Sequence, residues 1–147
     1  MFERIVVSLD GSERGERALA PAVELVTRLG MPLHLLRVAD VTWLRLGMND
    51  AALEYSVLGG ELAEEQREAE TYLTGVAERL GAEGLAVTTE VRPGFAAREV
   101  LAALREGDLL AMASHGRSGP ARWLLGSVAE EVTRRAECPV LLVRAAD

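Results

Sequence analysis

Leu109-Leu-Ala-Met-Ala-Ser-His-Gly116, followed after nine residues by Gly126-Ser-Val128, is the stretch whose reading decides the fold. Its first half is a short apolar run of strand length, entered from Gly107-Asp108, and its second half opens a helical pattern at Ser127. Glu130 stands three residues beyond Ser127, the spacing of a capping box, so Ser127 is expected to cap that helix. A strand delivered by a glycine-bearing loop to a helix start is an anion seat, because the first-turn N–H groups lack intrahelical partners and carry the positive end of the helix dipole.

Working outward, the rest of the chain reads as the scaffold for this unit. Arg4 to Leu9 is β-branched and apolar on both alternations, as expected of a strand covered on both faces, and it ends at Asp10-Gly11-Ser12, a turn whose serine can cap the following segment. Leu19, Ala22, Val23 and Val26 recur at helical spacing within a helix expected over about 13–29, which Gly30 stops. A second strand covers Leu33 to Val38, with His34 and Arg37 inside it. His34 is read as a packed or edge-facing residue with no chemical role.

From Ala39 to about Gly60 the pattern is irregular yet rich in large apolar residues, among them Trp43, Leu44, Leu46, Met48, Tyr55 and Leu58. It reads either as a cover packed over the sheet or as a flap over a ligand or partner surface. A helix follows from Glu61 to Leu80, then a strand from Leu85 to Arg92, a turn at Pro93-Gly94, a helix over about 96–105, the stretch already quoted, and a last strand from Pro139 to Arg144. Strands alternating with helices in this way imply a parallel sheet wrapped on both faces by right-handed crossovers.

Composition narrows the functions open to such a fold. A length of 147 residues with 49% hydrophobic content suits one globular domain over 1–147, and a net charge of -7 argues against a duplex-binding surface. All 16 cations are arginine, so phosphate-loop, Schiff-base and kinase-type lysine chemistries are excluded. The single cysteine, Cys138, permits no intrachain disulfide and reads as a small buried hydrophobe. With no signal-like amino terminus and no apolar run of membrane-spanning length, a cytoplasmic protein is expected.

The quoted residues resemble the universal stress protein family. The likeness runs from Ile5 to Arg144 and rests on Ser8-Leu-Asp10-Gly-Ser12, Met112-Ala-Ser-His-Gly116-Arg117, Leu124-Leu-Gly126-Ser127-Val128 and Cys138-Pro-Val-Leu-Leu-Val143. The ATP-binding branch of that family carries GxxG, nine residues, then glycine followed by serine or threonine. Gly116, the nine-residue spacing and Gly126-Ser127 keep the pattern, whereas Ala113 replaces its first glycine.

The resemblance implies an α/β, Rossmann-like three-layer sandwich, with a five-stranded parallel sheet of order 3-2-1-4-5 and helices on both faces. It also implies a site for ATP, with Mg2+ as companion ion, at the switch point beside the first and fourth strands. Asp10 and Val38 would surround adenine and ribose, and Met112 and Ala113 would lie along the nucleoside. Gly116, Gly126, Ser127 and Val128 would contact phosphate, and Arg117 could reach a terminal phosphate. Implied too are a stress-response sensor or regulator of adenine nucleotides and a homodimer paired through the strand from Pro139 to Arg144.

Two other functions stay open at this point. One is a nucleotide-free interaction module of the same fold, acting through protein contacts with a further downstream partner. The other is a slow ATP hydrolase in which Asp10 helps hold a metal through the phosphates and His115 assists proton transfer, although paired carboxylates and a nucleophile with a matched base are not evident. The individual residues also have plain readings: Ser127 as a helix cap, Gly116 and Gly126 as turn residues, Asp10 as the organiser of its own turn. For Ala113 the question is backbone: at positive φ alanine is strained, at negative φ it is harmless.

Overall fold

Five parallel strands in the order β3-β2-β1-β4-β5 make the sheet, as the resemblance implied. They are β1 (Arg4–Leu9), β2 (Leu33–Asp40), β3 (Val87–Gly94), β4 (Asp108–His115) and β5 (Val140–Ala145). The helices are α1 (Leu19–Leu29), α2 (Ala51–Ala82), α3 (Ala96–Ala103) and α4 (Ser127–Arg135), and a 3-10 turn at Gly15–Ala18 precedes α1. The computed structural model describes residues 1–41, 51–115 and 126–145, without the side chains of 51–58 and 115.

The apolar character of β1 on both alternations has a direct structural cause. Ile5 and Val7 point to a core shared with Leu33 and Leu35 of β2, Ala22 and Val26 of α1, and Leu73, Val76 and Leu80 of α2. Val6, between them, points the other way, to a core formed with Leu36, Leu110, Met112, Val100 of α3 and Val132 of α4. Two layers of helix therefore cover one sheet. The connections from β1 through β2 to β3 step one way along the sheet and those leading to β4 and β5 step the other way, so right-handed crossovers place α1 and α2 on one face and α3 and α4 on the opposite one. β1 pairs with both β2 and β4, Ile5 standing opposite Leu33 on one side and Leu109 on the other, and the connections leave β1 and β4 on opposite faces. That divergence opens a crevice beyond their carboxyl ends.

Three local expectations are corrected. The helix expected over about 13–29 begins as the 3-10 turn and becomes α-helical only at Leu19, because Ser12 and Asp10 bind the backbone of the preceding turn. The irregular segment expected up to about Gly60 is helical from Ala51, and α2 runs through Gly59 and Gly60 for 32 residues in all. Both glycines are exposed, where each costs roughly 1 kcal/mol of helix propensity, a deficit that the remainder of a long helix outweighs. The cover-or-flap residues Trp43, Leu44, Leu46 and Met48 lie outside the described residues. Pro93-Gly94 does not yet turn the chain; it extends β3 opposite Ala39 and Asp40. β3 is an edge strand, where a proline that cannot donate to the ladder is tolerated.

His34 has the packed position expected of it. It is buried on β2, with Nδ1 2.7 Å from Thr88 Oγ1 and Nε2 3.1 Å from Glu90 Oε2. Arg92 donates to Glu90 at 2.8 Å and to Glu99 of α3 at 2.9 Å, so a polar chain ties the sheet edge to that helix. Cys138 is half-buried, and burial pushes its thiol above the ordinary value, which suits an unreactive filler.

Candidate functional site

One wall of the crevice is made by the turn after β1. Asp10 Oδ1 accepts both the Ser12 N–H at 2.9 Å and the Ser12 hydroxyl at 2.6 Å, and Ser12 Oγ in turn accepts the Gly15 N–H at 3.0 Å. A side chain at Gly15 would collide with the Asp10 carboxylate, so the turn closes only over a bare Cα. Gly11 has φ +85, a conformation that favours glycine, and a Cβ there would stand 2.8 Å from Arg37 Nη1. The Arg37 guanidinium lies 5.1 Å from the centre of the Tyr72 ring of α2, and the Tyr72 hydroxyl donates to Glu16 at 2.9 Å. Burial, then the hydrogen bond and charge of Glu16, push the Tyr72 phenol well above its ordinary range, so it remains a donor.

The other wall is the end of β4 and the start of α4. Ala113 pairs with Val143 inside β4, and among the described residues no non-glycine residue has positive φ, so its methyl group carries no backbone strain. The start of α4 departs from the expected capping box. Gly126, with φ 88 and ψ 148, is the N-cap; Ser127 is the first helical residue, and no side-chain hydrogen bond closes the end. A serine cap requires an extended backbone at its own position, and Ser127 is already helical. Glu130 does not reach back as a box would have it; its N–H donates to the Gly126 carbonyl at 2.9 Å and its carboxylate lies 3.5 Å from Arg134. The first-turn amides therefore keep no intrahelical acceptor, beside an exposed serine hydroxyl.

Between the walls lies a cleft of about 330 Å³, within the size range of small-molecule sites. Asp10, Val38, Met112, Ala113, Gly126, Ser127 and Val128 all line it. Gly116 and Arg117 lie outside the described residues, as does the side chain of His115. The cleft also takes in Gly15, Arg37, Asp40, Glu65, Ala96 and Val100, which sequence reasoning did not single out. Arg37 was visible only as a charge interrupting an apolar strand and Glu65 as one glutamate on a polar helix face. The spacing of Asp10, Ser12 and Gly15 was the one local signal available for Gly15.

The close contact at Gly15 has a measurable consequence. Gly15→Ala should displace the Asp10 carboxylate and open the turn, lowering the melting temperature by a few degrees and weakening any ligand held by Asp10 by about tenfold. Calorimetric melting and ligand titration of the variant check both effects.

The comparisons with known proteins agree over nearly the full chain. Universal stress protein MJ0531 of Methanocaldococcus jannaschii is 32% identical over 146 residues, covering 98% of this chain and 83% of the relative. Among solved structures, hypothetical protein MJ0577 superposes with a TM-score of 0.78 at 27% identity, covering 100% of this chain and 99% of that one. A universal stress protein solved in complex with cAMP shares the fold, with a TM-score of 0.61 at 24% identity over 99% and 98% of the two chains. The model of the universal stress protein family matches residues 1–144, and the chain belongs to that family.

Proposed function

We propose that the cleft binds an adenine nucleotide, ATP in the first instance, and that this cytoplasmic protein works as a nucleotide-responsive regulator in stress rather than as a turnover enzyme. The observation that carries the reading is the uncapped, glycine-opened start of α4, which faces the same cleft as Asp10, Val38, Met112 and Ala113. Phosphate groups would take the first-turn amides and the Ser127 hydroxyl, whose donors suit an anion without a lysine. The Asp10 carboxylate would accept from ribose hydroxyls, and Val38 and Met112 would supply apolar contact to the nucleoside. Gly116 and Arg117 keep their proposed roles at the phosphates.

Magnesium would enter with the phosphates, since among the described residues no three potential metal ligands cluster. The relative solved with cAMP supports the ligand class. We further propose a homodimer through the edge strand β5, whose Val140, Leu141, Leu142 and Val143 are half-buried in one chain and would pair with the same strand of a second copy.

Denaturation of the purified protein followed by mass spectrometry should release an adenine nucleotide, and the ligand-free chain should take up ATP with magnesium saturably in a calorimeter. No nucleotide in the first experiment and no heat in the second would overturn the reading.

A further inference from the structure

Arg37 is the one cation among the described residues lining the cleft, whose other charged members are Asp10, Asp40 and Glu65. Its guanidinium is half-buried, held against the bare Cα of Gly11 and over the Tyr72 ring. Tyr72 is itself fixed by its bond to Glu16, so the group is oriented from β2, α2 and the 3-10 turn together. Among the described residues it makes no hydrogen bond or ion pair, although carboxylates line the same cleft. A pre-positioned guanidinium with unspent donors is a fork that matches phosphate oxygens two at a time.

The cleft thus offers donors for an anion in two places, the start of α4 and Arg37, beside the carboxylates of Asp10, Asp40 and Glu65. Arg37 stands on β2 and α4 follows β4 in the chain, and these two strands flank β1. A nucleotide with all its phosphates at α4 leaves the half-buried Arg37 only the neutral oxygens and nitrogens of the nucleoside to donate to, weaker acceptors for a guanidinium than phosphate oxygens. A nucleotide with a second phosphate on the ribose would fill both places. In doubly wound dinucleotide folds, a carboxylate serves a bare ribose hydroxyl and a nearby arginine accommodates a ribose phosphate.

We propose that Arg37 is a specificity-determining residue that selects nucleotides phosphorylated on the 2′ or 3′ ribose oxygen in addition to the 5′ position. This inference rests on the proposed nucleotide site and adds to it a preference that the family motif does not contain.

The test is calorimetric titration of the full chain with AMP, GMP, adenosine 2′,5′-bisphosphate and adenosine 3′,5′-bisphosphate. One bisphosphate should bind about tenfold or more tightly than AMP, with the advantage shrinking as salt rises. In Arg37→Met, and in Arg37→Gln should the methionine variant melt, the ratio of the two dissociation constants should fall from about ten to about one. Bisphosphates no tighter than AMP in the unaltered protein would overturn the proposal while leaving nucleotide binding intact. An advantage that survives loss of the guanidinium would also overturn it, as would an Arg37-dependent preference for GMP over AMP, which would assign Arg37 to the base edge. Failure of all four compounds to bind a protein that still takes up ATP would overturn the proposal alone, whereas failure of ATP as well would remove the nucleotide site itself.

Discussion

Replacing Gly126 with alanine should weaken ATP binding by at least about thirtyfold while leaving the sheet folded. At φ 88 and ψ 148 this residue occupies backbone space that glycine alone enters without strain. A Cβ there costs on the order of 1–3 kcal/mol if the conformation is kept. If instead the chain rotates to relieve that strain, the amides of Ser127 and Val128 swing away from the cleft they line. The strain of the first route favours the second, which removes the phosphate seat. Because the strain is local to one helix start, the melting temperature should fall by only about 3–6 °C.

Ser127→Ala is the informative companion. Ser127 neither caps α4 nor has a side-chain bond at the helix start, so the alanine should lower affinity by one hydroxyl contact, less than tenfold, with little effect on stability. Full ATP affinity in Gly126→Ala, measured by titration, would remove the amides of α4 from the proposed site.

These two residues also mark where the sequence could and could not be read. The strands were legible because a strand buried on both faces must be apolar on both, and Arg4–Leu9 and Asp108–His115 meet that demand with few other readings available. The reversal of strand order follows from family resemblance, since periodicity cannot say which strands become neighbours. The start of α4 was misread because Ser127-x-x-Glu130 satisfies a capping pattern whose test is a backbone angle one residue earlier. The irregular segment expected up to about Gly60 hides the first turns of α2 because propensity acts locally at Gly59 and Gly60, whereas a helix of 32 residues averages over it.

For Ala113 the sequence held both outcomes open, and its place inside β4 decides for the harmless one. Arg37, Asp40 and Glu65 stayed hidden for another reason. Each is unexceptional within its own element, and only the folding of β2 and α2 beside the β1 turn turns them toward one cleft.

The scaffold under the site depends on one ion pair whose loss should be felt far more widely than that of any cleft residue. Asp108, 2% exposed at the start of β4, accepts Arg4 Nε at 2.7 Å and Nη2 at 2.9 Å, and its second oxygen also takes the Arg105 N–H at 2.8 Å. Arg4 also donates to the Ala103 carbonyl at 3.3 Å, so the pair fastens the beginnings of the two central strands to the end of α3. Burial raises the Asp108 carboxyl, but the hydrogen bonds from Arg4 and the Arg105 amide, with the charges of both arginines, outweigh it and hold the group below its ordinary value.

Arg4→Met removes the counterion and leaves the carboxylate buried, at a cost of about 3 kcal/mol, the low end for a broken buried pair because Arg4 is itself 13% exposed. That corresponds to a fall of about 10 °C in melting temperature at pH 7. The pH dependence has a definite sign. In the unaltered protein the folded carboxyl is lowered, so its contribution is complete above the unfolded value of about 3.9 and is lost as pH falls through the lower folded value. In Arg4→Met burial acts without its main opponent and raises the folded carboxyl, so the variant gains relative stability as acid protonates Asp108. The melting gap between the two proteins should therefore be widest near pH 7 and narrow steadily toward pH 4. Equal melting temperatures at pH 7, or a gap that widens in acid, would show that this pair does not hold the floor of the sheet together.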